Sequence, residues 1–142
     1  MKLSEAGSAP VSMAFPAAGA LTLVSFLATQ PDTAATASRS QAVELVSLAH
    51  QYGSKGVHVV IVDNTAIPAS PSTLENTVYD WQLGDVPLLA DPGHLASDRF
   101  GVPSSPATLL IGRTGKVIAR WSGYVLTAAV AQALTSAISP GK

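Results

Sequence analysis

The side chains with the clearest capacity for chemistry lie in one polar stretch, residues 30–38, which reads Gln-Pro-Asp-Thr-Ala-Ala-Thr-Ala-Ser. Asp32 is the carboxylate of this stretch, and a partly desolvated carboxylate can act as a general base. Ser38 is the second catalytic candidate, as a hydroxyl that could work with it. Asp, Ser and Thr also favour turns and helix caps through local hydrogen bonds, so a structural role for Asp32, Thr36 and Ser38 is the alternative.

The rest of the composition excludes several other kinds of site. The 142 residues include no cysteine, so disulfides, thiolate nucleophiles, Cys-zinc sites and iron–sulfur clusters cannot form. His50, His58 and His94 are scattered without metal-ligand spacing, and we expect neither a metal nor a cofactor. Lys and Arg form no cluster, which argues against nucleic acid as a partner.

The low charge of the chain bears on its surface and its location. Charged residues make up 12% of the chain, against about 25% in a typical domain. We therefore expect a rather apolar surface that suits a ligand or a homo-oligomer. No apolar run reaches the roughly 18 residues of a membrane helix, so we expect no membrane span. We expect a cytoplasmic protein from the chain as it stands, with secretion through a signal preceding residue 1 as the alternative.

Hydrophobic patterning predicts an alternation of strands and helices after a small, polar lead-in. We predict strands at residues 21–27, 57–62, 107–111 and 116–122, with a short extended piece at 87–90. We predict helices at residues 38–52, 73–83, 94–100 and 126–138. Ser38, with Gln41 three residues later, forms a capping-box signature at the start of the first helix.

This order of elements predicts an α/β protein with a mixed central β-sheet and helices on both faces. The first strand–helix–strand unit implies parallel pairing through a right-handed crossover, and the later hairpin adds antiparallel strands. The length suits one domain. We expect residues 1–18 to form an N-terminal tail or lead-in and residues 19–142 to form a single domain.

Four stretches of the chain carry a family resemblance in their order and spacing. They are LVSFLAT at 23–29, VPLLAD at 86–91, residues 100–111, and GKV at 115–117 followed by Gly123. Together they resemble the thioredoxin-like superfamily, in its redoxin branch of peroxiredoxins and TlpA/ResA-type thiol–disulfide proteins. The resemblance implies a thioredoxin-like fold over about residues 19–138.

The resemblance fails at the active site. The family places a Cys-x-x-Cys pair, or a single peroxidatic cysteine, between the first strand and the first helix. These positions fall on Ala35 and Ser38 when the chain is aligned from the helix, or near Pro31 and Ala34 when it is aligned from the strand. Disulfide exchange and peroxide reduction both need a thiolate, so neither activity transfers to this chain.

Pro106 matches the family's cis-proline, which lies beside the active-site loop. In the family, the backbone before that proline pairs with bound peptide or substrate, and Ser105 holds this position here. The resemblance therefore implies that residues 30–38 face residues 104–106. The ligand-binding candidates are Gln30, Thr33, Thr36, Arg39, Trp81, Ser104, Ser105 and Pro106. The alternative is structural: a turn at Pro106, a solvated charge at Arg39 and a core side chain at Trp81.

Three classes of function remain open at this level. The first is a cysteine-free binding module that holds a small molecule or a peptide near the cis-proline loop. The second is a re-purposed non-redox enzyme, an isomerase, cyclase, dehydratase or hydrolase, that uses Asp32 in the same pocket. The third is a scaffold or assembly protein. Thiol redox catalysis is excluded in all three.

Overall fold

The protein is described from a computed structural model, which covers residues 2–4, 12–14, 19–28, 35–64, 71–84, 86–91, 95–102 and 106–138. The strands are β1 (Lys2–Ser4), β2 (Ser12–Ala14), β3 (Leu21–Leu27), β4 (Val57–Asp63), β5 (Leu88–Leu89), β6 (Ala107–Ile111) and β7 (Val117–Ser122). The helices are α1 (Ala35–Tyr52), α2 (Pro71–Asp80), α3 (Leu95–Arg99) and α4 (Thr127–Ile138), with a 3-10 turn at Gly53–Lys55.

Five of these strands form the central sheet, in the order β5-β4-β3-β6-β7. β4 runs parallel to both β3 and β5, whereas β6 runs antiparallel to both β3 and β7. All seven residues of the central strand β3 are buried, as expected for a strand that is covered on both faces. The mixed sheet predicted from the sequence is confirmed.

Alternate side chains of each strand divide the core into two layers. On the first face, Leu23 belongs to one buried cluster with Leu45 of α1 and Leu134 of α4. On the second face, Phe26 belongs to another buried cluster with Ala96 of α3. Helices therefore cover both faces of the sheet, as the order of elements predicts.

The predicted elements differ from the observed ones mainly at helix ends. α2 begins at Pro71, two residues before the predicted start, because proline is well suited to the first helical position, where its missing N–H is not needed. It ends at Asp80, and Gln82 then adopts a φ of 52°. Trp81 consequently lies just after the helix rather than inside it.

The predicted capping box at the start of α1 is wrong. The helix begins at Ala35, so Ser38 lies within the first turn instead of preceding it. The Ser38 hydroxyl accepts a hydrogen bond from the backbone of Ala28, and the Gln41 amide binds the backbone of Val125. Both side chains make tertiary hydrogen bonds in place of the predicted local ones.

The structure also has two short strands in the N-terminal lead-in, where the sequence analysis predicted no strand or helix. β1 and β2 pair as an antiparallel two-stranded sheet, with Lys2 opposite Ala14 and Ser4 opposite Ser12. The domain boundary after residue 18 stays a prediction.

Candidate functional site

The candidate site lies where β3 ends and α1 and β6 begin. In open α/β sheets, ligands bind at the carboxyl ends of the parallel strands. β3 ends at Leu27, and its neighbour β6 starts with Ala107 opposite Phe26. Pro106, which precedes β6, therefore lies at the same edge of the sheet. We call this edge the Pro106 end of the sheet.

A hydrogen bond to Ser38 connects α1 to this edge of the sheet. The Ser38 hydroxyl accepts a hydrogen bond from the backbone N–H of Ala28 at 2.9 Å, and the residue is fully buried. Because Ala28 directly follows β3, the bond satisfies a backbone donor where the strand ends. The observed role of Ser38 is structural, and its catalytic role stays a prediction.

A pair of hydroxyl groups joins the strands beneath the Pro106 end. Ser25 of β3 lies directly opposite Thr108 of β6, and their hydroxyl oxygens are 2.6 Å apart. Neither residue has any solvent-exposed surface. Sequence analysis missed this pair, although one serine within the apolar run LTLVSFL and one threonine within ATLLI were the available signal.

We expect these two hydroxyls to stabilise the fold only as a pair. Ser25→Ala or Thr108→Val alone leaves a buried hydroxyl without its partner, which is expected to lower the free energy of unfolding by about 1–3 kcal/mol. The double variant is expected to cost less than the sum of the two single changes. Urea unfolding of all four proteins measures the coupling. Strictly additive losses would show that the hydroxyls act independently.

Pro106 is buried and continues the pairing of β6 with β7. Its carbonyl accepts a hydrogen bond from the N–H of Gly123 at 2.8 Å. Gly123 has a φ of +77°, a conformation that glycine adopts without a side-chain penalty. Ser104 and Ser105 lie outside the described residues, so the cis geometry before Pro106 stays a prediction.

Arg39 and Trp81 lie near each other at the carboxyl end of α2. The Arg39 guanidinium donates a hydrogen bond to the carbonyl of Asp80 at 3.4 Å, and a cation at this end of a helix is favourable. Trp81 is half-buried and packs against the core of the first face. Arg39 is exposed, whereas Trp81 has a packing role. Ligand contact by either residue stays a prediction.

Much of the predicted loop falls outside the described residues. Gln30, Asp32 and Thr33 are in this group, and Thr36 is described by its helical backbone alone. A carboxylate that sequence analysis did not single out does lie at this edge: Asp63 ends β4, is 5% exposed and pairs in register with Leu27. An acidic residue that closes a buried parallel strand was the available signal.

The described ranges of the chain lack a metal-binding group and a membrane-spanning helix. Within them, no three His, Asp or Glu side chains come together as a group that could hold a metal ion. None of the helices there combines the length and the hydrophobicity that a membrane crossing demands.

Comparison with known proteins gives matches at the level of structure. No protein-family model and no curated protein matches the sequence. A protein described as the thiol:disulfide interchange protein DsbE of Chlorobium tepidum superposes with a TM-score of 0.77 and 20% identity, over 98% of this chain and 94% of that one. A protein described as a thioredoxin of Neisseria meningitidis gives a TM-score of 0.78 and 20% identity, over 100% and 89%. The chain has a thioredoxin-like fold.

A third neighbour with this thioredoxin-like fold is peroxiredoxin Q of Xanthomonas campestris, in a cysteine-to-serine mutant form. It has a TM-score of 0.75 and 19% identity, over 98% of this chain and 92% of that one. The names of these neighbours refer to thiol chemistry, which requires a thiolate. The present chain has no cysteine, so its thioredoxin-like fold operates without that chemistry.

Proposed function

We propose that this protein is a thioredoxin-fold binding module without thiol chemistry, which holds a small molecule or an extended peptide at the Pro106 end of the sheet. The proposal rests on the retention of the thioredoxin-like framework in a chain that contains no cysteine. A framework that persists without its reacting group is better suited to binding than to redox turnover.

The hydrogen bonds at this edge favour binding over nucleophilic catalysis. The partner of the Ser25 hydroxyl is Thr108, and the partner of the Ser38 hydroxyl is the Ala28 backbone. Neither partner is the kind of base that activates a serine nucleophile. These bonds instead make a fixed support on which residues 30–36 and 104–105 would contact a ligand. The exposed Arg39 would add a positive charge at the rim.

Equilibrium dialysis against a metabolite extract and a library of extended peptides, with mass-spectrometric detection, tests the proposal. We expect one class of compound to be retained at a stoichiometric ratio and with unchanged mass. Arg39→Ala is expected to weaken retention about tenfold, since it removes one charged hydrogen-bond donor. Arg113→Ala is the matched control, because Arg113 is also exposed but lies in the turn between β6 and β7.

Two results would contradict binding at this edge. Time-dependent conversion of a compound, abolished in Asp32→Asn, would establish the re-purposed enzyme instead. Equal retention by the wild type, Arg39→Ala and a Ser25→Ala/Thr108→Val variant would place the ligand elsewhere on the molecule. Absence of any retained compound would also reject the proposal.

A further inference from the structure

A cavity of about 410 Å³ lies at the other end of the sheet, where β4 begins and α1 ends. The parallel strands are seven residues long, which separates this cavity from the Pro106 end by about 20 Å. The β4 residues Val57–Val60 all line it. Because successive side chains point to opposite faces of a sheet, contact with four residues in a row means that the cavity follows the edge of the strand.

The pairing of β4 explains why this edge is open. Among the described residues, β5 pairs with β4 at Ile61 and Val62, and the Ile61 N–H donates to the Pro87 carbonyl at 2.9 Å. Backbone groups of alternate residues point to the same side, so the Val59 carbonyl faces the same side as Ile61. Continuation of this parallel ladder would require an N–H from residue 87, and proline has none.

The side chains around the cavity differ on its two sides. Val46 and Ala49 of α1, with Leu83 and Val86, provide an apolar wall on the first face. His58 points to the opposite face and is exposed. Two further basic side chains lie at this end of the sheet, His50 in the cavity wall and Lys55 in the 3-10 turn. Asp85 lies outside the described residues.

We propose that this edge is a docking slot for an extended peptide, which adds a short strand along Val57–Val60. Pro87 has no N–H to donate to the Val59 carbonyl, so a peptide N–H would donate there instead, as in other cases of strand addition. The peptide's alternate side chains would enter the apolar wall, and the side chain between them would lie beside His58. The occupant is therefore a segment with an apolar–acidic–apolar pattern, since the exposed imidazole of His58 has an N–H that can donate to a carboxylate.

The test is an NMR titration of the ¹⁵N-labelled full chain with the blocked peptide acetyl-Gly-Val-Glu-Val-Gly-amide. We expect the amide signals of Val57–Val60 and of Gly84 to shift, while those of Ala107 and Thr108 stay in place. A peptide with Lys in place of Glu is expected to bind about tenfold more weakly, because an ammonium group cannot accept a hydrogen bond from His58. A peptide methylated on the backbone nitrogens of its first valine and its last glycine is expected to lose binding, because these are the N–H groups that can donate to the Val59 carbonyl in antiparallel or parallel pairing.

The matched protein variant is His58→Glu, which changes an exposed side chain and leaves the buried strand intact. It is expected to reverse the preference, so that the Lys peptide binds more tightly than the Glu peptide. Equal binding of the methylated and unmethylated peptides would show that the cavity takes small apolar molecules without strand pairing, which overturns the proposal. Shifts confined to Ala107 and Thr108, or no shift at millimolar peptide, would overturn it as well.

Discussion

Replacement of Asp91 by alanine is expected to lower the free energy of unfolding by about 3 kcal/mol, because hydrogen bonds from the first turn of α3 end on its carboxylate. Asp91 is 5% exposed. One oxygen accepts the N–H of Ala96 at 2.8 Å, and the other accepts the N–H of Ser97 at 3.0 Å and its hydroxyl at 2.8 Å. Alanine would leave buried donors at the helix start without partners.

The effect is expected to reach the sheet. The Ser97 hydroxyl also lies 2.7 Å from the side-chain oxygen of Asn64, and the Asn64 N–H donates to the Leu27 carbonyl at 2.8 Å. Because Asp91 follows β5 and Asn64 follows β4, these two side chains together hold the start of α3 at the carboxyl ends of the parallel strands. Since α3 covers the second face through Ala96, its loosening would expose the apolar side chains beneath it.

Urea unfolding, followed by tryptophan fluorescence, measures this loss. Asp91→Asn is expected to be intermediate, because it keeps one acceptor oxygen but directs an NH₂ group towards donors. Asp98→Ala is the matched control, since Asp98 is exposed on the same helix, and it should change stability by no more than about 0.5 kcal/mol. A loss below about 1 kcal/mol in Asp91→Ala would contradict the anchoring role.

Gln41→Ala is expected to cost about 2–4 kcal/mol. The fully buried amide of Gln41 holds both backbone groups of Val125: its nitrogen donates to the carbonyl at 3.1 Å, and its oxygen accepts the N–H at 2.7 Å. One turn along α1, the Glu44 carboxylate accepts the N–H and the hydroxyl of Thr127 at the start of α4. Gln41 and Glu44 together fix the position of α4 against α1.

Two measurements separate this prediction from general destabilisation. Hydrogen exchange of the Val125 amide is expected to accelerate in Gln41→Ala more than that of the β3 amides, because its acceptor has been removed. Ser47→Ala is the control, since Ser47 is exposed on the same helix and should change stability by no more than about 0.5 kcal/mol. Unchanged protection of Val125 would show that another group holds this segment.

Sequence patterning predicted the fold well where the hydrophobic signal was continuous. The strand predicted at 21–27 coincides with β3, and the one at 107–111 coincides with β6. Patterning was wrong where a polar side chain had both a local and a distant use. Ser38 and Gln41 match a capping box locally, but their partners lie 10 and 84 residues away. Capping rules relate residues only a few positions apart, so they could not identify these partners.

The same distinction applies to the candidate site, where features that depend on strand register were not predicted. The resemblance implied that Pro106 faces residues 30–38, which stays a prediction, and the structure shows the Pro106 carbonyl accepting the Gly123 N–H at the start of β6. The hydroxyl pair beneath it was not predicted, because the register of β3 against β6 decides that Ser25 meets Thr108. The open edge of β4 likewise depends on register. The register of β5 against β4 assigns the Val59 carbonyl to the N–H of residue 87, which proline lacks.

The order of the strands in the sheet also determines when the core can form during synthesis of the chain. The central strand β3 borders β4 on one side and β6 on the other, and β6 begins at residue 107. Until that residue has left the ribosome, the emerging β3 has one bare edge, which is a template for wrong pairing. The Gln41 amide gains its hydrogen-bond partner later still, when residue 125 has emerged. Both partners lie far along the chain from β3 and α1, so the native core cannot close before residue 125 has been synthesised.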